Sequence, residues 1–140
     1  MQRCSLLSYI FLVLFGTSVA SCKKDSEPSP SGLVGNWKLV SWSCECEPTL
    51  NPNERASFTS TNFLFYKDDQ LISEGAYTNT TAQVDCGSTR LVPVLRLTNT
   101  TGTVYQVVAT VSSKTLVLDY RASYGNCVAD APIAMYERLP

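Results

Sequence analysis

The 140-residue chain contains no histidine. That removes the imidazole general base, the serine–histidine triad and the zinc–histidine site at once. It also lacks a G-x-S-x-G elbow, a P-loop and a G-x-G-x-x-G run, so no nucleophile turn or phosphate cradle is encoded. Charge of one sign is missing too: 11 basic residues face 12 acidic ones, for a net charge of −1. With no basic stripe, nucleic acid is not expected as a partner. No apolar run is long enough to span a bilayer: Leu6 to Phe15 offers about ten residues where about 20 are needed. Beyond residue 22 no segment has a helical apolar period. These absences lead to the expectation of a protein that is not an enzyme and has no cofactor and no metal.

What is present begins with Val19-Ala20-Ser21-Cys22, which follows the short apolar run and precedes Lys23-Lys24-Asp25. An aliphatic residue, two small residues and a cysteine have the pattern of a bacterial lipobox. Arg3 supplies the positive n-region, Leu6 to Phe15 the apolar h-region and Gly16 to Ser21 the small residues of a peptidase site. Residues 1–21 are therefore expected to be a lipoprotein signal peptide, with Cys22 lipidated. One acyl chain binds only marginally, at about 0.8 kcal/mol per buried CH₂. A diacylglycerol and a third, palmitate-type chain make attachment permanent. The expected location is the outer membrane, lipid-anchored at its periplasmic face or the cell surface. Residues 22–32, rich in Pro and Ser, read as a linker that extends up to ~30 Å. Residues 33–140 read as one small domain.

Four further cysteines fit an oxidising compartment: Cys44, Cys46, Cys86 and Cys127. On a strand, Cys44 and Cys46 share a face and do not readily bond to each other. Each is expected to join Cys86 or Cys127, with both arrangements open, in two bridges worth typically 2–4 kcal/mol each. A four-cysteine zinc site is the rival, but C-x-C is not the usual ligand spacing.

The domain reads as all-β. Strands are expected at Leu33 to Ser43, Ser57 to Lys67, Gln70 to Thr78, Leu91 to Thr98, Thr103 to Val111, Thr115 to Arg121 and Ile133 to Leu139. Asp68-Asp69 signals a hairpin. Leu71, Gly75 and Tyr77 alternate on the returning strand. Pro93 marks an exposed edge or a bulge. Thr-Asn-Thr-Thr occurs at residues 78–81 and 98–101, and both copies read as turns. Seven to eight closely spaced strands predict an antiparallel up-and-down meander, which removes its edges by closing into a small barrel.

Gly35-Asn36-Trp37, followed by Leu39, resembles the G-x-W of lipocalins. Phe63, Phe65, Lys67 and Asp68, then Gly75 and Tyr77, Leu95 and Leu97, Leu116 and Leu118, and Tyr136 with Arg138 are similar to the strand motifs of lipocalin-like domains in small gram-negative lipoproteins. Asp69-Gln70 departs from the Asp-Gly turn of that pattern. The resemblance implies that Trp37 plugs one barrel end beneath Arg138, as a structural pair. It also implies a ligand-holding interior, for which Phe63, Phe65, Tyr77, Tyr105, Leu118 and Tyr120 are the candidate lining. Two functions follow as expectations. One is an anchored binding module for a small apolar or amphipathic ligand. The other is an interaction lipoprotein with a filled barrel that contacts another envelope protein.

Overall fold

Trp37 and Leu39 alternate with Asn36, Lys38 and Val40 along β1 (Gly35–Ser43), and only the first pair is buried. Alternation of this kind also marks β2 and β8, in each of which one apolar face is covered. The computed structural model describes residues 30–44, 53–124 and 131–140. Within them β1 is followed by β2 (Arg55–Phe58), β3 (Asn62–Lys67), β4 (Gln70–Gln83), β5 (Leu91–Asn99), β6 (Val104–Val111), β7 (Thr115–Asp119) and β8 (Ile133–Arg138). Each strand pairs antiparallel with the next, and β8 returns to β1 through Trp37↔Arg138, Leu39↔Tyr136 and Trp42↔Ala134. The sheet thus closes into an eight-stranded ring with no open edge at its seam. Among the described residues the one helical piece is a 3-10 turn at Arg121–Ser123.

Inward side chains from all eight strands form one core, with Trp37, Phe63, Leu97, Val107, Leu116 and Leu118 almost wholly buried. Leu33 joins it from the segment ahead of β1.

Several sequence expectations change. Ser57 to Lys67 is two strands, because Thr59 to Thr61 turns the chain. The Thr59 hydroxyl accepts the Asn62 N–H at 3.0 Å and the Thr61 N–H at 3.4 Å, a local side-chain turn that needs no glycine or proline. The first Thr-Asn-Thr-Thr lies inside β4, laddered to β5 from Thr78↔Arg96 to Thr81↔Pro93. The second does turn the chain: Asn99 Oδ1 accepts the N–H groups of Thr101 (3.1 Å) and Thr103 (2.7 Å). Leu71 is about half exposed, because an irregularity between Tyr66↔Leu71 and Phe65↔Ser73 takes it out of step with Ser73, Gly75 and Tyr77. Pro93 pairs with β4, but β6 reaches only Leu95–Thr98 of β5. Its missing N–H therefore costs the ring nothing. At the β3–β4 hairpin, Asp68 and Asp69 both adopt positive φ, 50° and 63°, the twist of a two-residue type I′ turn.

The strand expected to reach Arg121 stops at Asp119, and a side chain continues the ladder. The Ser123 hydroxyl accepts the Gln106 N–H (2.6 Å) and donates to the Gln106 carbonyl (2.8 Å). It thereby serves both main-chain groups of a β6 residue beyond the end of β7. Asp119 holds Arg121 beside it through both carboxylate oxygens, at 2.6–3.1 Å. Ser123→Ala should leave two strand groups without their partner and cost about 1–3 kcal/mol. Urea unfolding together with hydrogen exchange at the Gln106 amide checks this; an unprotected amide in the wild type would refute it.

Candidate functional site

The two ends of the ring differ. At the Trp37 end, the indole N–H donates to the Leu33 carbonyl at 3.0 Å. The Arg138 guanidinium lies over the indole, 4.1 Å from the ring centroid. Its N–H groups donate to the carbonyls of Ser113 (3.0 Å), Val34 (3.1 Å) and Gly32. One side chain thus ties the β6–β7 hairpin and the segment before β1 to the last strand. Gly35 makes room: its φ is +146°, and a Cβ there would sit 2.5 Å from the Arg138 guanidinium.

Toward the Trp42 end the interior opens into a cavity of about 230 Å³. Trp42, Phe65, Tyr105, Tyr120 and Tyr136 supply most of its aromatic wall, and Glu54, Arg55 and Ser73 its polar part. Of the candidate lining residues, Phe65, Tyr105 and Tyr120 face this space. Phe63, Tyr77 and Leu118 lie instead in the packed core. Phe63 tilts against Phe65 at 5.3 Å, and Tyr77 meets Phe58 edge-on at 5.8 Å while its hydroxyl donates to the Thr59 carbonyl at 2.7 Å.

Trp42, Glu54 and Tyr136 were not among the expected lining residues. Trp42 stands at odd spacing from Trp37, so strict alternation turns it outward. A register shift between Leu39 and Ser41 skips Val40 and brings Trp42 opposite Ala134, on the inner face. No local residue pattern announces that bulge. Glu54 was legible in principle, since it lies two residues before buried Ala56.

Two phenols of the cavity, Tyr120 and Tyr136, are held protonated. Burial, aided by nearby Tyr124, Tyr105 and Glu54, pushes Tyr120 far above the ordinary tyrosine range. Burial likewise raises Tyr136, with help from Tyr120 and Glu54. In the unfolded chain both ionise near about 10. The folded state favours the protonated form, so the stability involved is complete below about pH 10 and is lost as pH rises further, toward the raised values. Phenolate absorbance should therefore show Tyr120 and Tyr136 ionising only as alkaline unfolding proceeds. Their early titration in a folded protein would contradict the enclosure.

Cys44 directly follows β1 and Cys86 sits in the β4–β5 connection. Neither is a free thiol. Cys22, Cys46 and Cys127 lie outside the described residues. Among the described residues no group of three or more His, Cys, Asp or Glu side chains gathers to hold a metal ion. Compared with known proteins, the chain matches no family model, no curated protein and no solved structure.

Proposed function

We propose that this chain is a lipocalin-like binding module of the bacterial envelope, anchored in the outer membrane through lipidated Cys22, that holds a small apolar or amphipathic molecule. The observation that carries the reading is the aromatic cavity of about 230 Å³ at the Trp42 end. An eight-stranded ring encloses space for side chains or for one small ligand. Here the Trp37 half is filled by side chains and the Trp42 half is not. The route of the chain supports the anchor. Leu33 enters at the Trp37 end, where the indole N–H holds its carbonyl. The chain thus enters the ring away from the cavity, so a tether attached ahead of Leu33 does not need to cross the cavity mouth. Two disulfides, joining Cys44 and Cys46 to Cys86 and Cys127, complete the proposal; they would staple the connections around the ring.

The test is to purify the protein from the membranes of its own host and record native mass spectra. A repeatable small bound species is expected. A clean apo mass would favour the alternative, a filled lipoprotein that works through contacts with an envelope protein. In the same preparation, Cys22→Ser should move the protein from the membrane fraction to the soluble fraction; persistent membrane association would remove the anchor from the reading.

A further inference from the structure

Two charged residues, Glu54 and Arg55, line the cavity, and strand alternation sets them apart. Ala56 and Phe58 of β2 are buried on the inner face. Glu54 lies two residues before Ala56, and its carbonyl accepts the Leu39 N–H at 2.9 Å, which extends the β1–β2 ladder. Glu54 therefore shares the inward face. Arg55, the next residue, alternates to the other face and borders the cavity at its rim, where it ion-pairs with Asp69 and lies 5.8 Å from the Tyr66 ring centroid. Glu54 has Lys67 as an ion-pair partner, but at 3.8 Å and with the lysine side chain about half exposed, an arrangement worth little in solvent. A ligand ammonium can displace it.

Aromatic faces accompany this carboxylate. Trp42 and Tyr120 have centroids 6.0 Å apart, and Tyr105 meets Tyr120 edge-on at 6.3 Å. Ring faces carry the negative part of the aromatic quadrupole and attract cations within about 6 Å of the centroid. Rings and a carboxylate on one cavity wall therefore have the same electrostatic preference.

We propose that the cavity binds an organic monocation, a ring-bearing amine whose ammonium group meets Glu54 and whose apolar body lies among Trp42, Tyr105 and Tyr120. This deepens the binding-module reading and rests on it. The size agrees: an apolar cavity of about 150 Å³ accommodates benzene, so about 230 Å³ suits a bicyclic ring or a ring with a short aminoalkyl arm. The charge of Glu54 is also felt at Tyr120 and Tyr136, where it helps to keep both phenols protonated. An anionic ligand would meet the Glu54 carboxylate, while the one guanidinium on the wall, Arg55, is already ion-paired with Asp69.

Calorimetric titration of the full chain in zwitterionic nanodiscs, with empty discs as blank, tests the proposal using three near-isosteric probes: tryptamine (cation), 3-ethylindole (neutral) and indole-3-propionate (anion). Tryptamine should bind at least about tenfold more tightly than 3-ethylindole, and the anion most weakly. Added salt should weaken tryptamine alone. Glu54→Gln should bring tryptamine down to the level of the neutral probe and leave the neutral probe unchanged. Equal binding of all three probes, or a preference for the cation that survives Glu54→Gln, overturns the cation assignment and leaves the binding module standing. No binding of any probe, together with a clean apo mass, overturns both. The three wild-type titrations decide the point even if the Glu54 variant does not fold.

Discussion

Trp37→Ala is expected to cost the fold about 3–5 kcal/mol, enough to consume much of the stability of a small domain. The ring is fully buried, so its removal leaves a void that the rigid seam between β1 and β8 cannot collapse to fill. It also removes the donor to the Leu33 carbonyl and the surface on which Arg138 rests. Arg138 remains held by the carbonyls of Ser113, Val34 and Gly32, so the guanidinium stays in place over an empty site. Urea unfolding gives the measurement. Arg138→Lys should also destabilise, because an ammonium cannot reproduce a planar fork that serves three carbonyls. A double-mutant cycle between the two positions should return a coupling of about 0.5–2 kcal/mol. A near-neutral Trp37→Ala would place the indole at the surface, and zero coupling would mean that the two side chains merely lie near each other.

The pairing of Trp37 with Arg138 was an expectation of the lipocalin resemblance rather than of any local pattern, since no spacing joins residues so far apart in the chain. The all-β class and the up-and-down order were legible from the residues themselves, since two-residue alternation and short turns are written residue by residue. The departures arise where geometry has no residue signature. Thr59 to Thr61 turns the chain with two β-branched threonines, a residue type that elsewhere favours strands. The residues 78–81 have turn composition, yet they are strand because β5 lies alongside to pair them. Half of the cavity wall was likewise out of reach. Phe65, Tyr105 and Tyr120 follow from alternation, whereas Trp42 faces inward only because β1 slips by one residue at Val40. That slip alters which side chains meet, and the cavity is the part of the molecule most affected by it.

Gly75→Ala should be the most damaging glycine-to-alanine change among the described residues. β4 passes so close to β5 at this point that a Cβ would lie 2.0 Å from the Thr98 carbonyl oxygen and 2.7 Å from the Asn99 Cα. Both are main-chain atoms, so no rotamer change relieves the contact; a strand has to move. Neither strand is free to do so. Thr98 is paired with Ala76 on one side and Val104 on the other. Glu74 accepts the Thr100 N–H at 2.9 Å, and Tyr77 donates its N–H to the Thr61 carbonyl at 2.8 Å. The substitution is therefore expected to cost about 3 kcal/mol, the upper part of the range for inserting a methyl group into a filled site. Gly102→Ala is the matched control. Its φ of +86° is unfavourable for alanine, but nothing lies within 4 Å of the added Cβ, so only the conformational cost of about 1–2 kcal/mol remains. Unfolding midpoints of the two variants at equal denaturant slope separate steric from conformational strain. If Gly75→Ala is no worse than Gly102→Ala, the β4–β5 approach is looser than drawn. The Gly75-x-Tyr77 spacing then loses its physical reason, because the glycine would no longer be required for Tyr77 to reach the Thr59 carbonyl and seat against Phe58.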